Sequence, residues 1–122
     1  IWFIGGYGLG GSLIVGEVIL TSYQKGRPHL GFIVREEIKD HGTQKQIEGY
    51  LGWGVAIVDD VISTGGAILK VINAVEEKGY KIAMVLVVLD RQLGGSEELQ
   101  RRGYNFKALL RADSSSGEIY IN

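Results

Sequence analysis

Val55-Ala56-Ile57-Val58-Asp59-Asp60-Val61-Ile62-Ser63-Thr64-Gly65-Gly66-Ala67 passes from an apolar run to paired carboxylates, hydroxyls and glycines, and then into a segment of helical period. Strand, polar turn and helix in that order are the half-unit of a βαβ fold, so a parallel sheet with helices on its faces is expected. Consecutive strand residues face opposite sides of a sheet. Asp59 and Asp60 can therefore address one ligand only where the strand ends, and the strand is expected to stop at Asp59. Ser63, Thr64, Gly65 and Gly66 would then offer hydroxyls and unpaired amides at a helix N-terminus, where the helix dipole favours an anion. Carboxylates beside a phosphate cradle suit a polyhydroxylated phosphate ester. The acids would accept from sugar hydroxyls or hold a hydrated Mg2+. The blander alternative is that Asp60 and Ser63 merely cap the helix.

The same alternation extends outward from this stretch. Strands are expected at Trp2 to Ile4, Leu30 to Arg35, Val55 to Asp59, Ile82 to Leu89 and Phe106 to Leu110, with a poorer one at Ile47 to Tyr50. Helices are expected at Gly11 to Tyr23, Gly66 to Lys78 and Ser96 to Arg102, the last with Ser96 as N-cap. In the second helix Ile68, Leu69, Ile72 and Val75 share one face, Lys70, Asn73, Glu76 and Glu77 take the other, and Gly79 ends it. The polar stretch Glu36 to Gln46 breaks the rhythm and reads as a loop. Ser114 to Gly117 reads as a connection before a tail that is either an edge strand or disordered. The fold class is α/β: a Rossmann-like open parallel sheet with flanking helices.

Composition narrows the chemistry. At 122 residues the chain suits one domain, 1–122, with no linker or repeat. Thirteen Lys and Arg against fourteen Asp and Glu give a net charge of -1, which disfavours a nucleic-acid interface. With no Cys and two His, carboxylates, hydroxyls and backbone amides must do the work. The longest apolar run, Ile82 to Leu89, is too short to span a bilayer and no signal peptide is visible, so a cytoplasmic protein without membrane contact is expected. The first residue is Ile1 and not Met, and a preceding piece is expected.

Nineteen glycines are about twice ordinary usage and suggest loops that approach a ligand closely. One such loop follows the first strand: Gly5-Gly6-Tyr7-Gly8-Leu9-Gly10-Gly11. Gly6, Gly8 and Gly11 satisfy the dinucleotide fingerprint, with Glu36 or Glu37 placed for a ribose, so a dinucleotide-binding domain is a rival reading. That reading leaves the Asp59 to Ala67 turn without a task. Two phosphate loops on one sheet suit a ligand with phosphates at both ends.

Asp59 to Gly66 resembles the phosphoribosyl diphosphate (PRPP) signature of type I phosphoribosyltransferases. Val34-Arg35-Glu36-Glu37-Ile38-Lys39-Asp40-His41-Gly42-Thr43, followed by Ile47-Glu48-Gly49, is similar to the catalytic loop of the orotate phosphoribosyltransferases, and Leu89-Asp90-Arg91-Gln92 resembles their orotate-contacting stretch. The resemblance covers nearly the whole chain. It implies transfer of a phosphoribosyl group from PRPP to orotate, giving orotidine 5'-monophosphate and pyrophosphate, with Mg2+, in pyrimidine biosynthesis. Position by position, it assigns PRPP to Arg35, Lys39, His41, Asp59, Asp60, Val61, Ile62, Ser63, Thr64, Gly65, Gly66 and Ala67. Within that set Ser63 to Ala67 take the 5'-phosphate, Asp59 and Asp60 take the ribose hydroxyls, and both acids reach Mg2+ through water. Gly6, Tyr7, Gly8, Leu9 and Gly10 would hold pyrophosphate, Ser63 and Arg91 would contact orotate, and Asp60, Lys39 and His41 would be catalytic. A homodimer is also implied, because in this family the loop closes over the neighbouring subunit's site.

Three departures stand out. Glu36 replaces the Lys usual after Arg35; a lost charge-assisted hydrogen bond costs about 1.5 to 3 kcal/mol, so reduced activity is expected. Trp2 stands where relatives often have Asp, and Ser12-Leu13 replaces a segment that commonly contains Pro. The residues before the first strand that form a hood over the base in this family have no counterpart in the chain. A PRPP-binding regulatory or weakly active domain is the alternative that follows.

Overall fold

The computed structural model describes residues 1–37 and 46–122. Its elements are β1 (Phe3–Tyr7), α1 (Gly8–Gln24), β2 (Leu30–Val34), β3 (Ile47–Gly49), β4 (Val55–Ile62), α2 (Gly66–Glu77), β5 (Ile82–Asp90), α3 (Gly95–Arg101), β6 (Phe106–Ala112) and β7 (Ile119–Ile121). They form one seven-stranded sheet in the order β3-β2-β1-β4-β5-β6-β7. The five central strands run parallel, whereas β3 and β7 lie antiparallel at the two edges. The sheet is thus mostly parallel and not uniformly so, and the tail is an edge strand.

Two layers of side chains hold this arrangement. Phe32, Val55, Ile57, Val85 and Val87 pack beneath Ile68, Val71, Ile72 and Val75 of α2, all of them buried. On the other face Ile4, Ala56 and Val58 meet Val15 of α1. The expected stripe of α2 is therefore its inner face, although Leu69 is only partly buried.

Several boundaries differ from expectation for physical reasons. β1 runs through Tyr7 because Gly5, Gly6 and Tyr7 pair with Phe32, Ile33 and Val34. The ring of Phe32 occupies the space a Gly5 side chain would need, with a Cβ there falling 2.1 Å from Cζ. The helix then starts at Gly8 rather than Gly11, so the expected glycine loop is in fact a strand end followed directly by the first helical turn. β4 continues to Ile62 because Val61 and Ile62 stay paired with Leu89 and Asp90. α3 is capped by Gly94 in a left-handed conformation, and Ser96 lies buried inside the helix.

Candidate active site

The sheet order reverses between β1 and β4. From β1 the chain crosses through α1 to β2 on one side; from β4 it crosses through α2 to β5 on the other. At such a reversal the carboxyl ends of the two strands open a crevice, the usual ligand position of an open α/β sheet. The pairing of β1 with β4 ends at Gly5 and Ile57, so the last five residues of β4 run on without that neighbour. Asp59 and Asp60 lie in this overhang, and both helices begin beside it.

The turn Ser63–Gly65 is held from beneath by the start of α3. Gly95 donates its N–H to the Ser63 carbonyl at 3.0 Å. A Cβ on Gly95 would lie 2.7 Å from that oxygen and 2.8 Å from the Gly65 nitrogen, so the position tolerates only glycine without moving the turn. Gly65 itself has φ +92, in the region glycine enters without strain. It is the N-cap of α2, and no side chain caps the helix, which removes the reading in which Asp60 and Ser63 serve as caps. The first amides of α2 are left for an incoming anion.

The carboxylate pair is organised by its own backbone. Oδ1 of Asp59 accepts from the Asp60 N–H and Oδ1 of Asp60 accepts from the Val61 N–H, each at 2.8 Å. One oxygen of each acid is thereby committed to a backbone amide. Contrary to expectation the pair sits within the strand, not at a turn. Asp59 is half-buried and lines the groove on the α1 face, while Asp60 is exposed. Burial pushes the Asp59 carboxyl up to about 6, aided by its contact with the Asp60 carboxylate. Among the described residues no three acids or histidines cluster as a metal cage. Two adjacent carboxylates fit a hydrated Mg2+ that takes its remaining ligands from water and substrate, as Mg2+ commonly does.

The start of α1 is differently furnished. No side chain caps α1 at Tyr7, and no acid occupies its first turn. Glu36, however, folds over this end: a Cβ on Gly8, whose φ is +62, would lie 2.1 Å from Glu36 Oε1. Arg35 is bound across the β2–β3 hairpin to Glu48, with Nη2 at 2.6 Å and Nε at 3.2 Å from the same oxygen. A pocket of about 360 Å³ joins Arg35, Glu36, Tyr7, Lys70 and Asn73.

No family model matches the chain. The orotate phosphoribosyltransferase of Rhodopseudomonas palustris (strain BisB5) is 36% identical over 116 residues, which make up 90% of this chain and 62% of that protein. A crystal structure of the Mycobacterium tuberculosis H37Rv orotate phosphoribosyltransferase in complex with PRPP matches with a TM-score of 0.76 at 28% identity, covering 89% of this chain and 61% of that one. The chain is a homologue of the orotate phosphoribosyltransferases. It spans about 60% of the length of those relatives. Adenine phosphoribosyltransferase from Thermoanaerobacter pseudethanolicus ATCC 33223, at 20% identity and a TM-score of 0.64, shares the fold alone.

Within this family framework, the structure brings Gly6 to Gly10, Arg35 and Asp59 to Ala67 to the carboxyl edge of neighbouring strands. Arg91 lies beside them, its N–H donating to the Ile62 carbonyl at 3.0 Å. The buried Asp90 carboxylate takes the Gln92 N–H at 2.8 Å and sets Gln92 at φ 56, which leaves Arg91 exposed at the tip of this turn. Lys39 and His41 lie outside the described residues. Sequence reasoning missed Gly95, although the Gly94-Gly95 pair was a signal for close backbone contact. Lys70 is exposed on the polar face of α2 as expected, but the sequence did not show that its Nζ sits 5.3 Å from the Tyr7 ring centre and 3.3 Å from its hydroxyl, beside the start of α1. A Lys beside a Tyr one strand away leaves no mark in local sequence.

Among the described residues no helix is long and apolar enough to cross a membrane.

Proposed function

We propose that the chain carries the PRPP-binding centre of an orotate phosphoribosyltransferase, which transfers the phosphoribosyl group to orotate and releases pyrophosphate. The observation that carries this reading is the uncapped start of α2 beside the Asp59–Asp60 pair, in the crevice where the sheet order reverses.

The first amides of α2 and the hydroxyls of Ser63 and Thr64 grip the 5'-phosphate, and the helix dipole favours its charge. With that end fixed, the ribose falls beside Asp59 and Asp60, whose carboxylates accept from its hydroxyls. As the bond from C1 of the ribose to pyrophosphate lengthens, the sugar gains oxocarbenium character, and the two carboxylates stabilise that positive charge. The departing pyrophosphate takes the bonding pair and gathers negative charge near Arg35, Lys70 and the start of α1. A ring nitrogen of orotate, placed by Arg91 and Ser63, then forms the new bond to C1 as its N–H bond breaks and the proton passes to the departing pyrophosphate. Asp59 and Asp60 would hold Mg2+ through water, and the ion would supply charge neutralisation on the diphosphate. The family resemblance gives Lys39 and His41 the task of closing over the diphosphate, and carries with it a homodimer and a cytoplasmic setting.

A weakly active, PRPP-binding domain is the second reading, favoured by the Glu36 carboxylate over Gly8. Incubation with PRPP, Mg2+ and orotate separates the two. Loss of orotate absorbance with matching pyrophosphate release supports the enzyme. PRPP binding without turnover supports the second reading, and absence of both contradicts the proposed function.

A further inference from the structure

The pocket of about 360 Å³ at the ends of β1 and β2 brings together Tyr7, Arg35, Glu36, Lys70 and Asn73. Its two cations come from different elements, Arg35 from just past β2 and Lys70 from α2. They are not equally available. Arg35 gives both Nη2 and Nε to one carboxylate oxygen of Glu48, so its charge is largely balanced within the hairpin. Lys70 takes part in none of the ion pairs among the described residues. Its Nζ instead donates to the Tyr7 hydroxyl at 3.3 Å and lies 5.3 Å from the centre of the same ring, whose face favours a cation. A lysine head on its flexible four-carbon stem is ordinarily spread over many rotamers. Here a partly buried aromatic steadies it beside the start of α1, because Tyr7 is the N-cap of that helix.

We propose that Lys70, steadied by Tyr7, is the residue that selects a diphosphate at this site. The inference rests on the proposed function for the identity of the substrate and deepens it. Helix α2 then holds both ends of one molecule: its first amides, from Gly66, receive the 5'-phosphate, and Lys70, about one helical turn on, receives the diphosphate. Asn73 follows three residues later on the same face and lines the same pocket, so its amide adds a neutral donor beside the ammonium. The need for such a cation is local. Glu36 brings a carboxylate over Gly8 to this pocket, and a diphosphate entering beside it without a counter-charge is repelled. An ammonium with three donors can turn from the Tyr7 hydroxyl to a phosphate oxygen while its stem stays against the ring. A ligand without the diphosphate leaves Lys70 on Tyr7. Ribose 5-phosphate is such a ligand.

Calorimetric titration of the 122-residue chain with inorganic pyrophosphate, and separately with ribose 5-phosphate, both with Mg2+ present, tests this. Lys70→Met keeps most of the stem and removes the charge. Its dissociation constant for pyrophosphate should rise about ten- to a hundredfold, the range of a lost charge-assisted hydrogen bond, while that for ribose 5-phosphate changes by less than about twofold. Lys70→Arg should recover most of the loss. Tyr7→Leu should weaken pyrophosphate about two- to fivefold in the wild type and not at all in Lys70→Met, because positioning matters only while there is a charge to position. Lys78→Met, at the exposed C-cap of α2, should change neither ligand. Equal weakening of both ligands by Lys70→Met would mark a structural role and overturn the proposal, as would a wild type that binds no pyrophosphate or a Lys70→Met variant that binds it undiminished. The two readings fail separately. Turnover of PRPP and orotate alongside pyrophosphate binding that ignores Lys70→Met leaves the proposed function standing without this inference. A Lys70-dependent pyrophosphate site on a chain that binds neither PRPP nor ribose 5-phosphate supports the inference and counts against the proposed function.

Discussion

Helices α1 and α2 both begin at the crevice without a side-chain cap, yet their neighbours differ. The start of α2 is braced from below by Gly95, and among the described residues nothing lies within 4 Å of where a Gly66 side chain would stand. The start of α1 is braced by Gly11 against Gly6 and covered by the Glu36 carboxylate. A helix N-terminus attracts an anion in either case. One of these ends is free for a ligand, and the other is already neighboured by an anion of the protein's own. The contrast teaches that glycine count alone does not measure a phosphate site: Gly5, Gly6 and Gly11 admit an aromatic ring or a close helix, while Gly65 and Gly95 shape the open turn.

Gly95→Ala attacks the open end most directly. Its Cβ would press on backbone atoms of Ser63, Thr64 and Gly65, a strain of about 1–3 kcal/mol. Calorimetry should find ribose 5-phosphate binding weakened about ten- to a hundredfold, whereas Gly66→Ala, which meets nothing within 4 Å, should leave the melting temperature unchanged or raised. Equal effects from the two would remove the distinction between a braced and an unbraced glycine.

The covered end is tested by Glu36→Lys. Removing the carboxylate and supplying a donor should tighten PRPP or raise turnover by about tenfold. An unchanged or lower value for both would show that Glu36 does not oppose the diphosphate.

Asp59 marks the boundary between the two ends. Its unfolded carboxyl titrates near 3.8 and its folded one near 6. The folded state therefore holds its proton more tightly, and the fold loses stability as pH rises from about 4 to about 6. Below that window the ionised form costs nothing. Asp59→Asn should accordingly raise the melting temperature at pH 8 and leave it nearly unchanged at pH 4, while weakening PRPP at neutral pH. A larger stabilisation at pH 4 would reverse the assignment.

The smallest effect belongs to Glu48→Gln, which frees Arg35 from an exposed ion pair worth about 0–1 kcal/mol. PRPP affinity should improve by less than about fivefold with little change in thermal stability. A marked loss of affinity would mean that Glu48 holds Arg35 in its working position.

Much of this was legible in the sequence because the signals were local. The apolar run into Asp59 and Asp60, the glycine start of α2 and its buried stripe needed only neighbouring residues to be read. What escaped depends on partners distant in the chain. β4 passes through both acids because β5 continues beside it, the first glycines join β1 because Phe32 lies across Gly5, and Glu36 reaches Gly8 from beyond the end of β2. Gly95 and Lys70 gain their roles from contacts across 32 and 63 residues.

Backbone amide resonances followed during titration with PRPP and Mg2+ test the central claim most directly. The account predicts saturable shifts largest at Ser63 to Ala67 and at Asp59 and Asp60, reversed by competing ribose 5-phosphate. Binding that leaves those amides unmoved, or a response to a dinucleotide and none to PRPP, would contradict it.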